Sequence, residues 1–472
     1  MILAEALSTE PIRDCLGREL VHARALSPDS PKHRAMAGLL SKPPIPYFLA
    51  LSEGLFRFLN PGKQIPLVFV TDWSDPSELT GLHLETDQGV LEDAELCFLG
   101  FYTDWDDLDS SGIVEIFAHE LSHLWLSRMG FDFSLSPSNR FHTSTAITDA
   151  YMAFSEGFAE HFEMVTAELN GAAAECPDFY DHGFDLGAWL CARDKALRYH
   201  AVKNNRFLYH TAMPEREDFD CYQNLHMAHI TSSAFMPERL KNGLQACSSE
   251  GLIASFFYRM YRSRALQGSQ APDEVYRGFG LERQGLSPLS NLYCKELCAL
   301  SRIDLKKPSL FFDFVREYIR IFPGDKEEVL QIFAKVTNFV TVDNRAAGIF
   351  GELYRVGRRG NPTDVKAAYG QAKNLREACM ERIRTDPGAL DRAVYESVWV
   401  EGEKEICPVP WKPEHKERLR LDVNAATEVD FYALEGLSME QCRALAALRE
   451  SIHGFADRDA FIRALGEIRS GR

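Results

Sequence analysis

His119, Glu120 and His123 stand in the stretch IVEIFAHELSHLWLSRMG, residues 113–130, in the arrangement H-E-x-x-H. On a helix, residues four apart share a face. His119 and His123 can therefore offer two imidazole nitrogens to one metal ion. Glu120 lies beside the first of them, where a carboxylate can take a proton from a water on that metal. The same five residues also occur on ordinary amphipathic helices with no metal, so a third ligand has to be found: a catalytic zinc is held by three protein side chains. The extended form H-E-x-x-H-x-x-G-x-x-H needs Gly at 126 and His at 129. This chain has Leu126 and Met129 there, which excludes that class. A glutamate on a following helix is the other route. AFSEGFAEHFE, residues 153–163, offers Glu156 as the third ligand. Glu160, four residues on, could then hydrogen-bond the outer nitrogen of a ligating histidine, fixing its tautomer and raising its basicity. Gly157 and Ala159 are small, which would let this helix approach the first one closely.

HELSHLW followed by SEGFAEHFE resembles the gluzincin zinc metallopeptidases, the branch with two His and one Glu, and particularly the aminopeptidases whose second motif reads like NEGFAxYxE. The resemblance covers about residues 60 to 170. It implies a zincin-like catalytic domain, Zn2+ bound by His119, His123 and Glu156, and Glu120 as general base. Two departures matter. His123 and Glu156 are 33 positions apart, longer than in typical aminopeptidases, so FDFSLSPSNRFHTSTAITDAY reads as an inserted loop. No G-x-M-E-N segment, the family's device for gripping a free amino group, precedes the motif. A selective endopeptidase therefore fits better than an exopeptidase. A second donor for the oxyanion is needed; His142, Tyr151, Tyr209, His210 and His229 are open candidates.

Several elements must position these residues. Residues 1–60 read as an N-terminal helical segment, clearest in PYFLALSEGLFRFL. IPLVFVTD (65–72), GLHLETD (81–87) and AELCFLGFYTD (94–104) alternate and are broken by turn residues, so they read as strands of a small sheet. Ser110 or Ser111 could cap the helix that follows. That helix carries Ile113, Ile116, Phe117, Leu121, Leu124 and Trp125 as a packing stripe. A second helical pattern runs over 143–169, and 185–265 is mostly helical. The expected fold class is α+β: a metallopeptidase domain over 61–266, a helical domain over 290–406 and a small unit over 413–472. QGSQAPDEVYRGFGLERQGLSPLSN (267–291) reads as a boundary or mobile loop, and CPVPWKPEHK (407–416) as a linker.

LDVNAATEVDFYALEGLSMEQCRALAALRESIHGFADRDAFIRAL (421–465) resembles the helix-hairpin-helix module, whose hairpin amides cradle a phosphate. Gly436 is present, but Ser438 replaces the second glycine. Residues 412–472 carry ten Lys or Arg against eleven Asp or Glu, whereas a DNA binder should be basic. A protein partner or a weak DNA contact through this unit are the alternatives. RVGRRGNP (355–362) reads as a solvated basic turn, and FFDFVREYIRIF (311–322) as core. The net charge of −17 argues against a general nucleic-acid binder. No run of 18 apolar residues exists, the N-terminus lacks a signal-peptide pattern, and eleven irregularly spaced cysteines read as reduced thiols. The expectation is a cytoplasmic zinc metallopeptidase acting on a protein or peptide substrate, with no membrane contact. The alternative is a DNA- or protein-binding scaffold with a structural or degenerate metal site.

Overall fold

A computed structural model describes residues 1–63, 65–136, 144, 147–171, 186–211, 235–343, 345–391, 399–401, 420–432, 434–452 and 454–471. The fold is mixed α+β. In chain order the elements begin with β1 (Ile2–Ala6), β2 (Ile12–Arg13), β3 (Glu19–Ala25), α1 (Pro31–Leu40), α2 (Ile45–Leu59), β4 (Val68–Thr71), β5 (Ser77–Thr86), β6 (Gly89–Gly100), α3 (Ile113–Arg128) and α4 (Ala150–Leu169). They continue with α5 (Leu186–Lys203), β7 (Tyr209–Thr211), β8 (Phe235–Leu240), α6 (Gly243–Cys247), α7 (Glu250–Arg262), α8 (Arg264–Gly268), α9 (Asp273–Gly278), α10 (Pro288–Leu300), α11 (Leu310–Ile321), α12 (Lys326–Val336), α13 (Arg345–Arg359) and α14 (Pro362–Thr385). The C-terminal part has β9 (Trp399–Glu401), β10 (Arg420–Asp422), α15 (Glu428–Tyr432), α16 (Met439–Ser451) and α17 (Arg458–Arg469). Two compact units share the chain. One consists of Met1–Phe131, Ala159–Ala173 and Gln267–Leu305; the other of Asp132–Phe158, Ala174–Leu266 and Lys306–Arg472.

The first unit is built on a sheet that closes on itself. β1 pairs with β4 and β3, β4 with β6, β6 with β5, and β5 with β3, so five strands form a ring with β2 added alongside β3. Alternate residues of each strand fill its interior: Ala4, Val21, Ala23, Val68, Val70, Leu82, Leu84, Leu96 and Phe98. This is the period-2 signature of strands with one face inward. The alanines of β1 and β3 leave room for the larger side chains opposite. The three strands expected from the sequence are β4, β5 and β6, but the N-terminal segment is not helical throughout, because ILAEA and ELVHARA are strands. Their Ala, Leu and Glu favour helix locally. Pairing within the ring and burial of every second residue override that preference. On the outer surface Phe69, Phe101 and Phe117 stack with centroids 4.8 to 6.2 Å apart, fixing α3 against the barrel.

In the second unit α7, α11 and α12 pack around Phe256, Phe257, Phe311, Phe314 and Phe333, so FFDFVREYIRIF is core as read. Between 185 and 265 the described part includes the β7–β8 pair as well as helix. The basic stretch from Arg355 is the exposed end of α13, with Arg358 and Arg359 in its last turn, where cations complement the helix carbonyls. Asn361 then caps α14 through Thr363 N and Asp364 N. The C-terminal helices α15, α16 and α17 have their own core, including Phe431, Leu445, Phe455 and Phe461. Gly436 takes φ +75°, which favours glycine, and Ser438 forms a capping box with Gln441 at the start of α16. The residue that departs from the hairpin pattern is thus a helix cap. Ala425 packs with Ile147 and Leu244, and Gln245 Nε2 donates to Glu450 at 3.0 Å. The linker CPVPWKPEHK lies outside the described residues. The segment 267–291, read as a boundary or a mobile loop, starts where the chain returns to the first unit at Gln267; α9 forms within it, and Asn291 donates to the carbonyls of Gln267 and Ser269.

Candidate metal centre

The helix of the opening motif runs over Ile113–Arg128. Its start is capped differently from the expectation. The N-cap is Gly112 at φ +66°, which has no side chain to bond, so neither Ser110 nor Ser111 takes that position. Its end is a Schellman turn: Phe131 N donates to Leu126 O, and Gly130 N, at φ +96°, to Ser127 O. The positions that excluded the longer motif therefore sit where the helix stops. Phe117, Leu121, Leu124 and Trp125 are fully buried, while Ile116 is half-buried. Trp125 Nε1 donates to Ser52 Oγ of α2 at 2.7 Å, and Arg128 Nη2 to Cys97 O of β6 at 2.8 Å. These contacts set how α3 is rotated, and with it where the histidines point.

α4 is one unbroken helix. Asp149 caps it, accepting from Tyr151 N and Met152 N, so it begins at Ala150 and not at 143. Gly157 has a different neighbour from the one expected. A Cβ there would lie 2.6 Å from Glu250 O and 2.7 Å from Ile253 Cβ, so the missing side chain accommodates α7 and not α3. Phe162 meets Trp125, Phe48 and Tyr293 at 5.4, 5.6 and 5.1 Å.

His119, His123 and Glu156 come together, with one ligand atom from each all within 4.8 Å of one another. The rings of His119 and His123 are 5.0 Å apart, centroid to centroid. His123 and Glu156 are buried, and His119 is partly exposed. Two imidazoles and one carboxylate, largely shielded from water, suit zinc, which takes nitrogen and oxygen donors in small numbers and leaves a position open. Glu120 is buried on the same helix, next to His119. Glu160 is fully buried on α4. A carboxylate that does reach one of the two rings is Glu163, whose Oε1 lies 2.8 Å from His119 Nδ1, an ion-pair contact by distance without straight N–H···O geometry.

Two carboxylates close to the histidines were not legible as such in the sequence, Glu163 and Glu78. Glu78, on β5, is half-buried. Burial raises its carboxyl above the usual range, opposed by Cys97, the His123 ring, Ser127 and Arg128. Its Oε1 has no hydrogen-bond partner among the described residues. Glu163 had a signal in the sequence, since it stands seven residues after Glu156 and so on the same helix face. Glu78 had none beyond strand alternation. Of the proposed oxyanion donors, Tyr151 donates its hydroxyl to Lys306 O at 2.8 Å, and Tyr209 begins β7. The His210 side chain, His142 and His229 lie outside what the structure describes. No helix among the described residues is long and apolar enough to cross a membrane. No protein-family model, curated protein or solved structure matches this chain.

Proposed function

We propose that this chain is a zinc-dependent metallopeptidase with a zincin-like site, hydrolysing peptide bonds of a protein substrate as a selective endopeptidase. The observation that carries the reading is the convergence of His119, His123 and Glu156 within 4.8 Å, with Glu120 adjacent. His119, His123 and Glu156 would hold the zinc. When bound there it would supply Lewis acidity, making a water acidic enough to lose a proton near neutral pH and polarising the scissile carbonyl. Glu120 takes that proton as the water oxygen bonds to the carbonyl carbon. It then delivers the proton to the amine nitrogen as the C–N bond breaks. Burial of Glu120 and Glu156 keeps competing solvent away from the proton path and strengthens the electrostatics of the site.

Wild type and Glu120→Gln are compared for zinc content and for cleavage of candidate protein substrates, or of the chain itself. Both should hold about one zinc per chain, and only the wild type should cleave. Zinc absent from the wild type, zinc lost in Glu120→Gln, or equal cleavage by both would overturn the reading.

A further inference from the structure

We infer that Glu163 is the positioning residue for His119: it holds the ring so that Nε2 faces the metal, and it makes that nitrogen a better donor. The inference rests on His119 being a ligand. Glu163 Oε1 stands 2.8 Å from His119 Nδ1, with the two side chains only 16% and 15% exposed. A carboxylate at Nδ1 favours the tautomer protonated there, which leaves Nε2 with its lone pair for the metal. The rotation of α4 that brings Glu163 to this place is fixed by the residue before it. Phe162 is held among Trp125, Phe48 and Tyr293, and it meets the two phenylalanine and tryptophan rings edge-on. Glu156 lies two turns earlier on the same continuous helix. One continuous helix therefore carries both the third ligand and the partner of the first.

The test measures zinc affinity by competition with a chromogenic chelator for wild type, Glu163→Gln, Glu163→Asp, His119→Ala and His119→Ala/Glu163→Gln, with circular dichroism to verify that each is folded. Glu163→Gln should bind zinc about 10- to 100-fold more weakly. Glu163→Asp should recover part of that loss, because the charge is kept and only the reach is shortened. In the His119→Ala background, Glu163→Gln should change nothing further, since its only route to the metal is gone. A folded Glu163→Gln that binds zinc within about twofold of wild type overturns the inference while leaving the metal site standing. So does an equal loss with and without His119. A wild type that binds no zinc overturns the proposed function, and this inference with it.

Discussion

Lys241 offers a quantitative test of how the second unit is stabilised. It is buried, and burial takes its ammonium from 10.5 down to about 7. At about 1.4 kcal/mol per pH unit, holding the charged form in the folded state costs about 5 kcal/mol. The sign follows from proton binding. Between pH 7 and 10.5 the unfolded chain binds the proton and the folded chain does not, so stability from this residue rises with pH across that window. Below pH 7 both forms are protonated, and the full cost is present. Lys241→Met removes the charge at similar volume. It also strips Ser249 Oγ of the ammonium that donates to it at 2.6 Å, a loss of about 1–3 kcal/mol. The net expectation is a variant more stable than wild type by about 2–4 kcal/mol at pH 6, with the advantage vanishing or reversing by pH 10. Urea unfolding at pH 6, 8 and 10, followed by circular dichroism, reads the difference directly. A difference that stays constant across the three pH values would refute the reasoning.

Gly157→Ala should destabilise the fold by about 1–3 kcal/mol, because the new methyl meets the Glu250 carbonyl and Ile253 and the backbone must move; a melting temperature within a degree of wild type would contradict it. Glu296 is fully buried with neither carboxylate oxygen hydrogen-bonded among the described residues, and burial raises its carboxyl well above 4.5. The folded state therefore keeps a proton that the unfolded state has released, and stability from this residue falls as pH rises above 4.5. Glu296→Gln should raise the melting temperature at pH 7 to 8 and barely change it at pH 4, as scanning calorimetry at both ends would show.

How much could be read in advance depends on the kind of information each residue carries. Helix periodicity identified α3 and the part of α4 that bears Glu156, because a shared face follows from spacing alone. Spacing did not single out Glu163 beside Glu160. Both share a face with Glu156, and the contact of Glu163 with His119 depends on how α4 is rotated against α3, which Phe162, Trp125 and Ser52 set through contacts distant in sequence. Gly157 posed the same problem: its smallness was legible, but the neighbour it makes room for was not, since α7 begins nearly a hundred residues later. β4, β5 and β6 showed their alternation openly. β1 and β3 hid theirs in residues that favour helix, and only closure of the ring makes strands of them. Gly112 at the start of α3 carried no cap signature because its contribution is a backbone angle.

The interleaving of the two units governs how the molecule can be taken apart. A fragment ending at Phe131 contains the whole barrel and the H-E-x-x-H helix, yet it lacks Phe162, so Trp125 and Phe48 lose the ring they pack on, and Glu163 and Glu156 are missing as well. During synthesis the barrel strands are complete once Gly100 has emerged, but α10, with Tyr293 against Phe162, follows almost two hundred residues later. Until then the first unit is a barrel with an unfinished flank. Truncation at either of its early boundaries should therefore yield material that aggregates or binds no metal, even though every residue of the motif itself is present.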